Sequence, residues 1–252
     1  MRIPRLQISP PLAIGVRTLD PDTSHYLIRV LRRRASDAVR VFDGAGNSAD
    51  AVVITADQKQ CVLELAQAFA DNLESPLLVH LGLALLKGDR MDTALQKACE
   101  LGVAEITPLT TERTEVRLEG KRLVSKQRHW SEVLRHAAQQ SGRSRVPLLH
   151  DPMALRDFLQ TRTDAVPGLI MDPSGGGLNT LDLPAQPQQL RLVTGPEGGF
   201  SDAELLSSDT ANYRRMSVGP RILRAETAPL VGLTLLHARF GDLLDQAPDA
   251  RA

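Results

Sequence analysis

The chain has 252 residues, 42% of them hydrophobic, which is enough for one large domain or for a small domain beside a medium one. Its 30 basic and 30 acidic side chains cancel, which excludes whole-molecule attraction to nucleic acid or membrane and leaves local basic patches as the route to RNA. Aromatics make up 3%, which argues against a broad aromatic sheet on which bases stack.

The first 72 residues read as short strands and turns. Val39–Phe42 alternates and runs into the turn cluster Asp43-Gly44-Ala45-Gly46-Asn47, and Ala51–Ile54 follows, which is a hairpin signal. Gln60–Leu65 is a further strand, and Asp22–Val30 is a short helix. If that helix ran to Arg34, Arg29 and Arg33 would share a face. This spacing fits a small β-barrel. The stretch Ala70–Pro76 breaks the pattern, and the boundary is placed at 72/73.

Beyond it the rhythm is αβ alternation. Leu77–Ala84 is a nearly continuous apolar run, as in a strand buried on both faces. Asp89 or Asp92 is expected to cap a helix that runs to Leu101 and ends at Gly102. Ile106–Leu109 is a strand, Lys121–Gln140 a long basic amphipathic helix, and Gly168–Met171, Leu190–Val193 and Met216–Val218 are short apolar strands. Gly175-Gly176-Gly177 and residues 184–189 read as loops. Thr227–Leu244 is a final helix with Pro229 in its first turn, where a missing N–H is harmless. The fold class is α/β, with a mostly parallel sheet covered on both faces.

Two segments carry the chemistry. Thr194-Gly195-Pro196-Glu197-Gly198-Gly199-Phe200 follows a strand, and Ser201-Asp202-Ala203-Glu204 then opens a helix with capping-box spacing. Such a unit is either a tight turn or a ligand cradle whose glycines admit close backbone approach. It matches neither the dinucleotide fingerprint nor the P-loop. Gly219-Pro220-Arg221-Ile222-Leu223-Arg224-Ala225-Glu226-Thr227-Ala228 ends another strand. Its arginines suit an anionic partner or a local ion pair with Glu226. The two strands are expected to be neighbours, which puts both Gly-Pro turns on the edge of the sheet where open α/β folds bind ligands.

The two cysteines, Cys61 and Cys99, stand far apart, and no CxxC or Cys/His cluster occurs, so no metal site is expected. Cys99 lies in the apolar pattern of a helix and reads as a buried structural thiol, not a nucleophile. No signal-peptide run opens the sequence and no window has membrane-spanning length, so a soluble cytoplasmic protein is expected.

These segments resemble the SPOUT methyltransferases, and specifically the ribosomal RNA small subunit methyltransferase E family. Gly195–Gly199 and Gly219–Ala228 match its two loop motifs. Leu86–Asp92 and Ala98–Val103 resemble its first strand-helix unit, and Gln140-Ser141-Gly142-Arg143 its Q-S-x-R signature. Met1–Arg5 and His25–Arg32 resemble its RNA-binding barrel.

The resemblance implies a PUA-like β-barrel over residues 1–72 and, over 73–252, an α/β methyltransferase domain with a deep trefoil knot. It further implies a homodimer with the active site at its interface. The reaction implied is methylation of uridine N3 in 16S ribosomal RNA with S-adenosylmethionine. Ribose 2′-O methylation, or RNA binding without catalysis, are the alternatives. Cofactor contacts fall on Met171, Val193, Thr194, Gly195, Pro196, Glu197, Gly198, Gly199, Val218, Gly219, Pro220, Ile222, Leu223, Arg224, Thr227 and Ala228. RNA contacts fall on Arg2, Arg5, His25, Arg29, Arg32, Arg33, Lys87, Arg90, Gln140 and Arg143.

Uracil N3 must lose a proton to become a nucleophile, so a cation near O2 or O4 and a proton acceptor are needed. Arg221 and Arg224 are the candidate cations. Glu197 and Glu226 are the nearby carboxylates, each with a structural alternative: ordering its loop, or capping the last helix.

Overall fold

The computed structural model describes residues 3–71, 73–161 and 165–244. Two compact units emerge: residues up to Glu74 together with Arg135–Val146, and Ser75–Leu134 together with residues from Pro147 onward. The return of the chain at 135–146 to the first unit has no counterpart in the sequence pattern. Among the described residues no helix is long and apolar enough to cross a membrane.

The first unit holds β1 (Arg5–Gln7), β2 (Gly15–Thr18), α1 (Pro21–His25), β3 (Ala38–Phe42), β4 (Asn47–Thr55), β5 (Val62–Leu65) and β6 (Phe69–Ala70). They form one sheet in the order β1-β3-β4-β5-β2, with β6 also on β4. No ladder joins β1 to β2 among the described residues, so the expected barrel is open in hydrogen-bonding terms. Its core includes Leu6, Leu27, Val41, Val53 and Leu63. The side-chain period of two explains the choice: β4 buries Ala49, Ala51 and Val53 and turns Asp50, Val52 and Ile54 outward.

The first helical stretch ends at Val30 as expected, but its second half is not α-helical. After α1 the chain widens into a π turn at Tyr26–Val30, and Arg32 adopts φ 54°, which ends any helix. Arg29 and Arg33 therefore share no helical face. The segment 135–146 is tied in by Arg143, whose Nη2 donates to Glu74 Oε2 at 2.6 Å, and by Val146 N–H to Gly44 O at 3.1 Å.

The second unit comprises β7 (Leu78–Ala84), α2 (Asp89–Glu100), β8 (Glu105–Thr110), the first part of α3 (Gly120–Ser141), β9 (Leu148–Leu149), β10 (Met153–Ala154), α4 (Leu155–Gln160), β11 (Gly168–Gly177), β12 (Gln189–Thr194), α5 (Asp202–Thr210), β13 (Tyr213–Ser217) and α6 (Thr227–Phe240). Its sheet runs β10-β8-β7-β12-β11-β13, with β9 on β8, and every ladder in it is parallel. In such a sheet all strand carboxyl ends share one edge, where the following loops converge. β7 buries Val79, Leu81, Leu83 and Ala84 on both faces, as its apolar run requires.

Two expectations for this unit need correction. The cap of α2 is neither Asp89 nor Asp92 but Gly88, at φ 57° and without a side chain. The two aspartates lie in the first turn, where they oppose the positive end of the helix dipole. The glycine triplet 175–177 is not a loop: after an irregularity past Met171, Gly176 and Gly177 pair with Met216 and Ser217 of β13. A β-carbon on Gly175 would lie 2.5 Å from the Arg215 carbonyl carbon and 2.7 Å from the Met216 nitrogen. Backbone cannot yield as a side-chain tip can, so only glycine permits this approach.

Gly175→Ala should therefore destabilise the protein by about 1–3 kcal/mol through overpacking. Gly177→Ala, whose β-carbon would meet nothing within 4 Å, should be neutral or mildly stabilising. Urea unfolding midpoints of the two variants check the contrast, and equal midpoints would reject it.

Candidate functional site

The loops at the carboxyl edge of the second unit enclose a cavity of about 590 Å³. Its walls come from four places in the sequence: Arg90 of α2, Met171, Asp172 and Pro173 of β11, Gly195–Phe200 after β12, and the end of β13 with the loop after it, Met216–Gly219, Arg221–Glu226 and Ala228. β12 and β13 are not neighbours, because β11 lies between them. The two Gly-Pro turns still meet across it, and β11 contributes its own share of the wall. The residues of this wall that the motifs did not flag are Asp172, Pro173, Met216 and Ser217. The Asp172-Pro173 turn within an apolar strand was the available signal for the first two.

Local chemistry fixes the loop after β12. Ser201 and Glu204 form the expected capping box: the Glu204 amide donates to Ser201 Oγ at 3.2 Å and the Ser201 amide to Glu204 Oε2 at 2.9 Å. The other Glu204 oxygen accepts from the Glu112 amide at 2.8 Å. Gly199 takes φ 67°, a conformation that favours glycine. Arg113 Nη1 donates to Gly198 O at 3.0 Å, and a β-carbon on Gly198 would press on the Arg113 side chain at 3.2 Å. Sequence spacing gave no sign of Arg113.

Glu197 is the hub of this loop. Its Oε1 accepts from the Lys87 amide at 3.2 Å and from Arg90 Nη1 at 3.0 Å. Burial pushes its carboxyl up, but hydrogen bonds from its own amide, the Lys87 amide and Arg90, with the Arg90 charge, outweigh that and hold it below the ordinary carboxylate value. An ionised carboxylate so engaged is a weak proton acceptor.

Glu226 differs. It occupies the N-cap position of α6, yet its side chain makes no capping hydrogen bond. One oxygen stands 3.9 Å from Arg224 Nη1, and the other, Oε2, is buried with no hydrogen-bond partner. The Arg224 side chain is 80% exposed, so this contact adds little to stability. Arg221 is also exposed at the rim.

Of the remaining expected cofactor contacts, Met171, Val218, Ile222 and Leu223 line the cavity, whereas Val193, Thr194, Pro220 and Thr227 stand behind or beside it. Thr194 is buried and its Oγ1 lacks a partner. Cys99 is fully buried and contacts the Leu134 carbonyl at 3.6 Å, away from the cavity lining.

The expected RNA-contacting residues divide into two groups. Arg5, its side chain 8% exposed, is bound to Asp71 at 2.9 Å, and Arg143, at 7%, to Glu74. Both guanidinium groups are spent inside the first unit. Arg90 is spent on Glu197, and Lys87 Nζ reaches Glu115 at 2.6 Å on the surface. His25, Arg29, Arg32 and Gln140 are exposed and Arg33 partly so. Arg2 lies outside the described residues. His129 pairs with Asp92 at 2.6 Å.

Comparison with known proteins fits this geometry. A family described as RNA methyltransferase domain matches residues 73–237, and one described as RNA methyltransferase PUA domain matches residues 19–66. The ribosomal RNA small subunit methyltransferase E of Buchnera aphidicola is 30% identical over 243 residues, covering 96% of this chain and 98% of its own. A methyltransferase from Legionella pneumophila, solved in complex with the bound cofactor SAM, superposes with a TM-score of 0.91 at 34% identity, covering 96% of this chain and 100% of its own. The ribosomal RNA small subunit methyltransferase E of Neisseria gonorrhoeae, solved bound to S-adenosyl methionine, gives 0.89 at 30% identity with the same coverage. With a glycine-lined cavity at the carboxyl edge of a parallel sheet, a family model over residues 73–237 and relatives that match 96% of its length, this chain belongs to the RNA methyltransferase family and is similar to the ribosomal RNA small subunit methyltransferases E.

Proposed function

We propose that the protein methylates N3 of a uridine in 16S ribosomal RNA with S-adenosylmethionine, in the cytoplasm and as a homodimer. In this reading the barrel of residues 1–72 is the PUA-like RNA holder, and residues 73–252 form the methyltransferase domain with a trefoil knot. The observation that carries the reading is the cavity formed by the 195–200 and 217–228 loops. The knot is inferred from the family to which the chain belongs.

The cofactor fits the residues present. The cavity volume of about 590 Å³ lies within the range of small-molecule sites. Gly195, Gly198 and Gly199 leave the backbone accessible to a ligand. When bound, the cofactor supplies an electrophilic methyl group.

The chain supplies the rest. The glycine loops and Met171 bind and orient, while Phe200, Leu223 and the walls around them exclude water. Arg221 and Arg224, exposed at the rim, stabilise the uracil oxygens as N3 gives up its proton. Glu197 orders its loop and does not take that proton, because it is already held ionised by Lys87 and Arg90. Glu226 keeps an unengaged oxygen and is the proton acceptor of this scheme. The Watson–Crick edge of the target must be unpaired for N3 to enter. Exposed His25, Arg29 and Arg32, with the partly exposed Arg33, are the phosphate-facing groups of the first unit.

Nucleoside mass spectrometry of ribosomal RNA treated with the enzyme tests the acceptor atom. 3-Methyluridine is expected, and 2′-O-methyluridine in its place would reject the assignment. Arg224→Ala should lower kcat about 10²–10³-fold with a smaller change in cofactor Kd, and a parallel loss of both would give Arg224 a binding or folding role.

Glu197→Gln should weaken cofactor binding by loosening the loop. The carboxylate's folded value is depressed, so its hold on the loop is complete above the ordinary carboxylate value and fades as pH falls through the lowered one. Wild-type cofactor affinity should accordingly weaken on acidification more than that of Glu197→Gln. Calorimetry across that range checks this, and identical pH profiles would contradict it.

A further inference from the structure

A second cluster of chemically active side chains lies at the opposite end of the parallel sheet. His80 is near the start of β7, Glu105 begins β8, and His150 follows β9. His80 and Glu105 are register partners, and Glu105 pairs onward with Leu148. The His150 amide donates to the Ile106 carbonyl at 2.9 Å. Three adjacent strands thus aim two imidazoles and one carboxylate at a common point, each side chain partly buried.

We propose that His80, Glu105 and His150 form a binding site for a zinc-class divalent transition-metal ion. One ligand atom from each residue lies within 4.8 Å of the others. Glu105 Oε2 is 3.7 Å from His80 Nδ1 and 2.7 Å from His150 Nε2. Zinc bonds to nitrogen and oxygen of about 2.0–2.2 Å place tetrahedral ligand atoms about 3.3–3.5 Å apart, so the Glu105–His80 pair needs to close by only about 0.2–0.4 Å and the Glu105–His150 pair to open by about 0.6–0.8 Å, within reach of side-chain rotation. Two imidazoles and one carboxylate are a recognised zinc set that leaves a fourth position open, and they are poorly suited to magnesium or calcium.

The outer shell is already in place. His80 Nε2 lies 2.7 Å from the hydroxyl of Thr107, a residue 1% exposed. With Nε2 engaged there, Nδ1 is the ring nitrogen turned to Glu105, the way outer partners orient metal-bound histidines. The His80 and His150 rings stack at 5.0 Å between centroids and His80 packs edge-on against Phe158, which fixes both rings. Metal entry displaces the proton shared by His150 Nε2 and Glu105 Oε2 into solvent.

Arg191 sets the affinity. It lines a recess of about 140 Å³ together with His80 and Glu105, and its guanidinium is held by the Phe158 carbonyl, Thr161 and Tyr213. The nearby positive charge opposes a dication and so weakens its binding, and it favours an anion or hydroxide at the open position.

The test uses the full chain, treated with chelator and then titrated with zinc chloride. Calorimetry should show about one zinc per chain, with a rise in Tm on saturation. His150→Ala and, separately, Glu105→Gln should abolish both, while His129→Ala, which removes the exposed histidine paired with Asp92, should change neither. Cobalt(II) should give the intense visible bands of tetrahedral coordination in the wild type only. Circular dichroism and cofactor binding, which depend on the other end of the sheet, report that the variants are folded. Absence of zinc binding in the wild type, equal binding by folded His150→Ala and Glu105→Gln, or loss only in His129→Ala would overturn the proposal.

Discussion

The loop after β12 stays in place through one carboxylate. Glu197 reaches from that loop to the Lys87 amide and the Arg90 guanidinium, which follow β7, and Arg113, which follows β8, grips the neighbouring carbonyl of Gly198. Three consecutive positions of the sheet, β12, β7 and β8, are therefore tied together at their carboxyl ends. The loop itself contains three glycines within five residues and is entropically costly to order. Groups already fixed by strands and by the first turn of α2 meet that cost. A rigid wall results, and the loop after β13 closes the cavity against it.

The contrast between the two carboxylates of the site follows from this arrangement. Glu197 is surrounded by donors and is kept ionised. Glu226 sits at the N-cap of α6 without using its side chain as a cap and leaves a buried oxygen unmatched. Buried acceptors without donors are uncommon because each costs roughly 1–3 kcal/mol. One carboxylate serves the architecture, and the other retains binding capacity. Their sequence contexts are alike, each lying in a Gly-Pro motif, so only the surroundings separate them.

Much of the second unit was legible from local pattern. The apolar run 77–84, the capping box at 201–204 and the strand before each Gly-Pro turn are signals a few residues long, and such signals survive folding. What could not be read depends on partners distant in the chain. The Gly175–Gly177 triplet looks like a loop because nothing local reveals that β13 lies against it at a distance a β-carbon would forbid. Arg113 sits in an unremarkable polar stretch and gains meaning only from Gly198, 85 residues away. Arg5 and Arg143 look like free cations until Asp71 and Glu74 are found beside them. The His80, Glu105 and His150 cluster is likewise spread over three strands and has no spacing motif.

The buried pairing of Arg5 and Arg143 bears on counterion release. A cation already neutralised by a carboxylate displaces no ion from a phosphate when RNA docks. Each such residue drops out of the exponent that relates affinity to salt, because that exponent counts only the phosphates newly neutralised. A protein that balances 30 positive charges against 30 negative ones and locks several of its arginines internally would hold RNA with a shallow ionic-strength dependence. Its discrimination would then rest on shape and on access to the cavity more than on charge.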